Sequence, residues 1–199
     1  MSSEGKRVCP VERAGGLDNP IRRWLQNPKK ILGPYIREGM TVLDVGCGPG
    51  FFSLELAEMV GKSGRVIASD LQGEMLQRVK GKIQGTELEE RITLHTCEAS
   101  EIGVSDTVDF ILAFYVVHEV PHEEEFLHEA GAILKPNGRM LIVEPPFHVS
   151  KKAFQETIRK AREAGFMPVE RPKVLFSKAV VLQKGYELPA SGSSAAPGP

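Results

Sequence analysis

Residues His118 to His122 read HEVPH, a histidine–glutamate pair followed by a second histidine. Two histidines one turn apart on a helix can hold a zinc ion while the glutamate acts as base, the chemistry of metal-assisted hydrolysis. That chemistry needs both rings on one face of a continuous helix. Pro121 stands between them. Inside a helix it breaks the ladder; as the first helical residue it leaves His118 outside. The run FILAFYVV just upstream is strand-like, so a helix is expected to begin near Pro121, and the G-x-x-H of a third ligand is missing beyond His128. No metal site is expected. His122 and His128 lie among Glu123, Glu124, Glu125 and Glu129 and read as a solvated helix face. His118 is left at the carboxyl end of a strand, where open α/β sheets place their ligands. It reads either as a histidine hydrogen-bonded at a strand end or as a residue of the reaction site.

A second stretch carries a sharper signal. VLDVGCGPGFF, Val42 to Phe52, sets a glycine loop between an apolar run and a helical pattern. Such a turn lets a ligand approach the backbone and meet the helix N-terminus. A dinucleotide fingerprint starting at Gly46 and Gly48 needs its third glycine at position 51, which is Phe51. A phosphate loop needs Gly-Lys-Ser/Thr, which is absent. The pattern present is D-x-G-x-G-x-G: Asp44, Gly46, Gly48 and Gly50, with Cys47 inside the loop. An acid before the loop can face an ammonium, and small residues admit the ligand backbone.

This loop resembles motif I of the class I S-adenosylmethionine-dependent methyltransferases. Two further positions agree with the resemblance: Asp70, which ends the second strand, and Glu98-Ala99, which follows the third. The resemblance covers Ile31 to Lys184. It implies that S-adenosyl-L-methionine is the cofactor, with its ammonium facing Asp44. Asp70 would bind the ribose hydroxyls and Leu71 would pack on the adenine. Glu98 would accept from the adenine amine, although the family often has Asp there, with Ala99 beside it. Phe114 would line the adenosine pocket. It also implies that the acceptor meets the methyl group near His118. A base with a pKa near neutral helps there, and His118 is the candidate, with Tyr115 and Glu119 orienting it or the substrate. The similar branch is the small-molecule group of ubiquinone/menaquinone methyltransferases and arsenite methyltransferases. Arsenite members need several cysteines at the acceptor. Of Cys9, Cys47 and Cys97, only Cys9 is free to approach it, so a different small acceptor is expected. EPPF, Glu144 to Phe147, is similar to the catalytic box of amino-methyltransferases, but it follows the fifth strand rather than the fourth. It reads as a turn, with Glu144 at the pocket rim. A cofactor-binding subunit without catalysis and a nicotinamide-dependent oxidoreductase remain as alternatives.

Around these residues, strands and helices alternate. Strands are expected at Met40 to Gly46, Arg65 to Asp70, Arg91 to Cys97, Val108 to Val117 and Arg139 to Pro145. Helices are expected at Phe51 to Val60, Glu74 to Gln84, Glu123 to Leu134 and Ser150 to Ala164. Two extended runs between Met167 and Lys184 look like a hairpin. The expected fold is α/β, a Rossmann-like doubly wound, mostly parallel seven-stranded sheet closed by a C-terminal antiparallel hairpin. Residues 1–30 read as an N-terminal arm or lid, with Pro28 and Pro34 breaking it into short pieces. Residues 31–186 read as the single domain and 187–199 as a disordered tail.

Composition sets the outer limits. The chain has 199 residues, 41% apolar and 26% charged, with a net charge of −1. No global field favours nucleic acid, and no apolar run is long enough to span a bilayer. Three cysteines without a Cys-x-x-Cys argue against a disulfide framework. A cytoplasmic protein acting on a small molecule is expected, its oligomeric state left open.

Overall fold

The structure is a computed structural model and describes residues 26–185. The tail and most of the N-terminal arm lie outside the described residues. Element by element, the chain runs α1 (Pro28–Leu32), β1 (Thr41–Val45), α2 (Phe51–Met59), β2 (Arg65–Asp70), α3 (Gly73–Ile83), β3 (Ile92–Thr96), β4 (Val108–Phe114), α4 (Glu123–Ile133), β5 (Leu134–Glu144), α5 (Lys151–Glu163), β6 (Phe166–Glu170) and β7 (Lys178–Lys184). One sheet contains all seven strands in the order β3-β2-β1-β4-β5-β7-β6. The five strands β1 to β5 are parallel, and β7 runs antiparallel to both β5 and β6. The doubly wound sheet with a closing antiparallel hairpin matches the expectation.

The strands are apolar throughout because successive side chains feed two cores. Val42, Phe110, Leu112, Leu141 and Val143 face a core with α2 and α3 (Phe52, Leu56, Val79). Leu43, Ile111, Ala113, Met140 and Ile142 face the other core with α4 and α5 (Leu127, Ala130, Ile158). Both faces are covered, so the chemistry is confined to the ends of the strands.

Pro28 opens α1, a five-residue piece that the Asn27 side chain caps by accepting from the Lys30 N–H at 3.1 Å. Two local readings need correction. The fourth strand stops at Phe114, three residues early, because Tyr115 takes a left-handed φ of 64°. The fifth strand starts early, at Leu134. Leu134 pairs with Val108, the chain detours through Pro136, Asn137 and Gly138, and pairing resumes at Arg139 opposite Phe110. Asn137 has φ 63°, a conformation that asparagine tolerates better than most residues.

Candidate active site

The carboxyl ends of β1, β2, β3 and β4 open into a cleft of about 460 Å³. Its first wall is the loop after β1. Gly46, Gly48 and Gly50 all have positive φ (65°, 54° and 86°), which explains the spacing of glycines. Their surroundings differ. A Cβ on Gly46 would lie 2.7 Å from Val116 Cγ2, whereas one on Gly48 would meet nothing within 4 Å. Gly48 therefore borders open space, while Gly46 is packed under the chain that leads to His118. Gly50 is absent from the cleft lining and serves as N-cap of α2, against Leu54 and Val79. Lys82 of α3 ties the loop down by donating to the Pro49 carbonyl at 2.7 Å.

Asp44 is 2% exposed, and its carboxylate accepts a 2.6 Å hydrogen bond from the Ser53 hydroxyl on α2. Asp70 ends β2 and is gripped by two backbone N–H groups, from Gly48 to Oδ2 and from Gln72 to Oδ1, both at 2.8 Å. Burial raises its pKa, and those two bonds partly offset the rise. Each carboxylate oxygen keeps acceptor capacity for hydroxyls of a ligand. Leu71 lines the cleft at 39% exposure, a large apolar surface beside an acid. Glu98 and Ala99, after the neighbouring β3, also line the cleft, in a short turn closed by a bridge between Glu98 and Glu101. Phe114 forms the floor, its ring 4.4 Å from that of Phe52 and 4.5 Å from that of Tyr115. Cys47 and Cys97 also line the cleft. Burial pushes both thiols up, so neither is set up as a nucleophile.

The far end of the cleft holds the remnant of HEVPH. His118 sits in a 3-10 turn, Val117–Glu119, and α4 begins only at Glu123. The two histidines do not share a helix, and the exposed His122 and His128 lie outside the cleft lining. Glu144 supplies what sequence reasoning missed. It ends β5, next to β4 in the sheet, and is 1% exposed. Its Oε2 lies 2.5 Å from His118 Nδ1, and its Oε1 accepts from the His118 backbone N–H at 3.2 Å. An ionised carboxylate only accepts, so with Glu144 ionised this pairing puts the ring proton on Nδ1 and makes Nε2 the accepting nitrogen. Glu119 Oε1 stands 3.9 Å from Nε2, beyond hydrogen-bonding range. Glu144 was read from sequence as a rim residue; it lies behind His118 instead. The signal was present, since an acid ending the fifth strand and a histidine after the fourth meet whenever those strands are neighbours.

Tyr115 lines the cleft but does not orient His118 with its hydroxyl. That hydroxyl shares a 2.6 Å hydrogen bond with Ser177, before β7, and accepts one from Gln26 at 3.0 Å. No helix among the described residues is long and apolar enough to cross a membrane.

Comparison with known proteins agrees with this layout. A family profile described as "Methyltransferase domain" matches residues 36–179. The demethylmenaquinone methyltransferase of Lactobacillus johnsonii is 33% identical over 110 residues, 55% of this chain and 45% of that protein. The ubiquinone/menaquinone biosynthesis C-methyltransferase of an Enterobacter species is 29% identical over 130 residues, 65% of this chain and 50% of that protein. The chain thus spans about half the length of the curated relatives it matches. A solved structure titled as a SAM-dependent methyltransferase from Aquifex aeolicus superposes with a TM-score of 0.80 at 29% identity, covering 89% of this chain and 100% of that one. With its glycine loop, strand-end acids and seven-stranded sheet in these positions, the chain belongs to the methyltransferase-domain family.

Proposed function

We propose that this protein is an S-adenosylmethionine-dependent enzyme that methylates a small-molecule acceptor by in-line displacement and works in the cytoplasm. The observation that carries this reading is the pairing of His118 with the buried Glu144 at the open end of the cleft that Gly48 and Asp70 border. The residues fit the cofactor. Gly48 leaves open space for a ligand backbone, Asp70 keeps acceptors for a ribose, and Leu71, Ala99 and Phe114 offer apolar surface to an adenine. Asp44 supplies the negative charge for an ammonium, and Glu98 an acceptor for an amine. When bound, S-adenosylmethionine supplies an electrophilic methyl group on a sulfonium.

The protein's own part is then alignment and proton removal. Holding the acceptor against the methyl carbon supplies much of the acceleration. The cofactor, held by Gly48, Asp70 and Leu71, would supply the methyl group and would keep the electron pair of the bond it loses. The acceptor's proton passes to Nε2 of His118. Glu144 holds the ring in the tautomer that can take that proton and stabilises the imidazolium that results. Such a base suits an acceptor that must lose a proton, a hydroxyl or a ring carbon activated by one. The quinone-pathway names of the relatives agree with that class.

The test has two arms. Calorimetry is expected to find binding of S-adenosylhomocysteine and none of NAD. Turnover of methyl-labelled cofactor with a panel of phenols and quinols then identifies the acceptor. On that acceptor, His118→Ala is expected to lose roughly 10²–10⁴-fold in turnover with cofactor affinity intact. Glu144→Gln loses less and shifts the pH profile. Unchanged turnover in His118→Ala sinks the assignment of the base, and NAD binding in place of S-adenosylhomocysteine sinks the whole reading.

A further inference from the structure

At one corner of the cleft mouth lie the two most exposed large apolar side chains among the described residues. Phe147 is 95% exposed and Phe176 80%, with Leu175 at 42%. Glu144 of β5 pairs with Lys178 of β7, and the Lys178 ammonium donates to the Pro146 carbonyl at 3.2 Å. The segment leaving β5 and the segment entering β7 therefore run side by side, which puts Phe147 and Phe176 on the same edge. Neither ring is carried on a slack loop. Phe147 follows Pro145 and Pro146, and Phe176 holds a left-handed φ of 52°, an unfavourable conformation for a bulky side chain that persists only when its surroundings enforce it.

The charge around these rings has one dominant sign. Lys151, Arg171, Lys173 and Lys178 line a groove with Leu175 and Phe176. Lys152 follows Lys151 in the first turn of α5, which contains no acid to balance the positive end of that helix. Glu170, the groove's acid, lies beside Tyr35 and helps to raise its pKa. A chain with a net charge of −1 thus concentrates cations around two bare aromatic rings.

We infer that this corner docks on the surface of an anionic lipid bilayer, with Phe147 and Phe176 entering the interface and the lysines meeting the headgroups. Exposed rings within a cationic rim have the composition of an interfacial anchor. A second copy of the same face is disfavoured, because like charges would oppose each other across the two-fold contact. Pro145 and His148, which flank this segment, also line the cleft, so the bilayer covers the acceptor end of the site. An amphiphilic acceptor then passes from lipid to cleft without crossing water. This last consequence rests on the methyl-transfer reading; the docking itself does not.

The experiment is co-sedimentation of the full chain with vesicles of phosphatidylcholine alone and of phosphatidylcholine with phosphatidylglycerol. Expected is a preference of at least about tenfold for the anionic vesicles, reduced by added salt. The double variant F147E/F176E is expected to lose at least about tenfold more. K151E/K173E, which keeps both rings, should lose the anionic preference. Both variants are expected to keep S-adenosylhomocysteine affinity, since none of these four residues lines the cofactor cleft. Absence of vesicle binding by the wild type overturns the inference. So does binding that F147E/F176E leaves undiminished, or self-association abolished by that variant without any vesicle binding. Loss of S-adenosylhomocysteine binding by the wild type would instead strike at the methyl-transfer reading.

Discussion

Alanine at each glycine of the β1–α2 loop separates packing from ligand approach. All three glycines have left-handed backbones, and a side chain there costs about 1–2 kcal/mol. At Gly46 the added methyl also falls 2.7 Å from Val116 Cγ2 and 3.1 Å from its Cβ. Overpacking of that kind adds about 1–3 kcal/mol, so Gly46→Ala is expected to lose roughly 2–5 kcal/mol in all. At Gly48 nothing lies within 4 Å. Gly48→Ala is expected to lose only the left-handed share, about 1–2 kcal/mol, but its methyl projects into the open cleft. Its affinity for S-adenosylhomocysteine should fall by about tenfold or more, the equivalent of ~1.4 kcal/mol. Gly50→Ala meets Leu54 Cδ1 at 2.8 Å, a flexible end that can give, and the buried, stiff Val79 Cγ2 at 3.0 Å, and should fall between the two in stability. Urea unfolding with calorimetric binding reads all three. Adding Val116→Ala to Gly46→Ala should recover about 1–3 kcal/mol as coupling energy. Wild-type binding by Gly48→Ala, or a Gly46→Ala loss that Val116→Ala does not relieve, would refute the reasoning.

Three other outcomes are expected. Ser53→Ala removes the hydroxyl that donates to the buried Asp44 carboxylate and should cost about 1.5–3 kcal/mol at neutral pH, read by urea unfolding. Tyr35 is pushed from 10.0 to about 12, by burial first and by Glu170 next. Its folded pKa is the higher one, so between those values the native state holds more protons than the unfolded chain and stability falls as pH rises. Unfolding measured across that alkaline window should therefore show a slope that Tyr35→Phe flattens. His122→Ala alters an exposed ring and should leave stability within about 0.5 kcal/mol and methyl transfer unchanged, with or without a chelator in the assay.

Local pattern was enough for features that depend on near neighbours. Phe51 at the place of a third glycine separated this loop from a dinucleotide fingerprint, and Pro121 was enough to divide HEVPH. Alternating strands and helices implied a sheet covered on both faces, and Val42 and Leu43 do point into separate cores. What sequence reading missed depends on contacts between distant segments. Glu144 and His118 are 26 positions apart, and their bond exists because β4 and β5 are neighbours. Tyr115 and Ser177 are 62 apart, and the tyrosine's role changes once its hydroxyl is found to be engaged there.

The reversed strand β7, inserted between β5 and β6, has a consequence for how such a protein can diversify. Because β7 runs against its neighbour, its entry point lies on the same edge of the sheet as the exits of β4 and β5. Ser177 reaches the cleft residue Tyr115 from there, while Gly48, Asp70 and Glu98 line the cleft after β1, β2 and β3. The cleft lining is thus drawn from both sides of β1, while the connection into β7 approaches from one side only. The connection from β6 to β7 can lengthen, shorten or change its chemistry without disturbing Asp44 or Asp70, so one end of the cleft can be remodelled while the other keeps its acids.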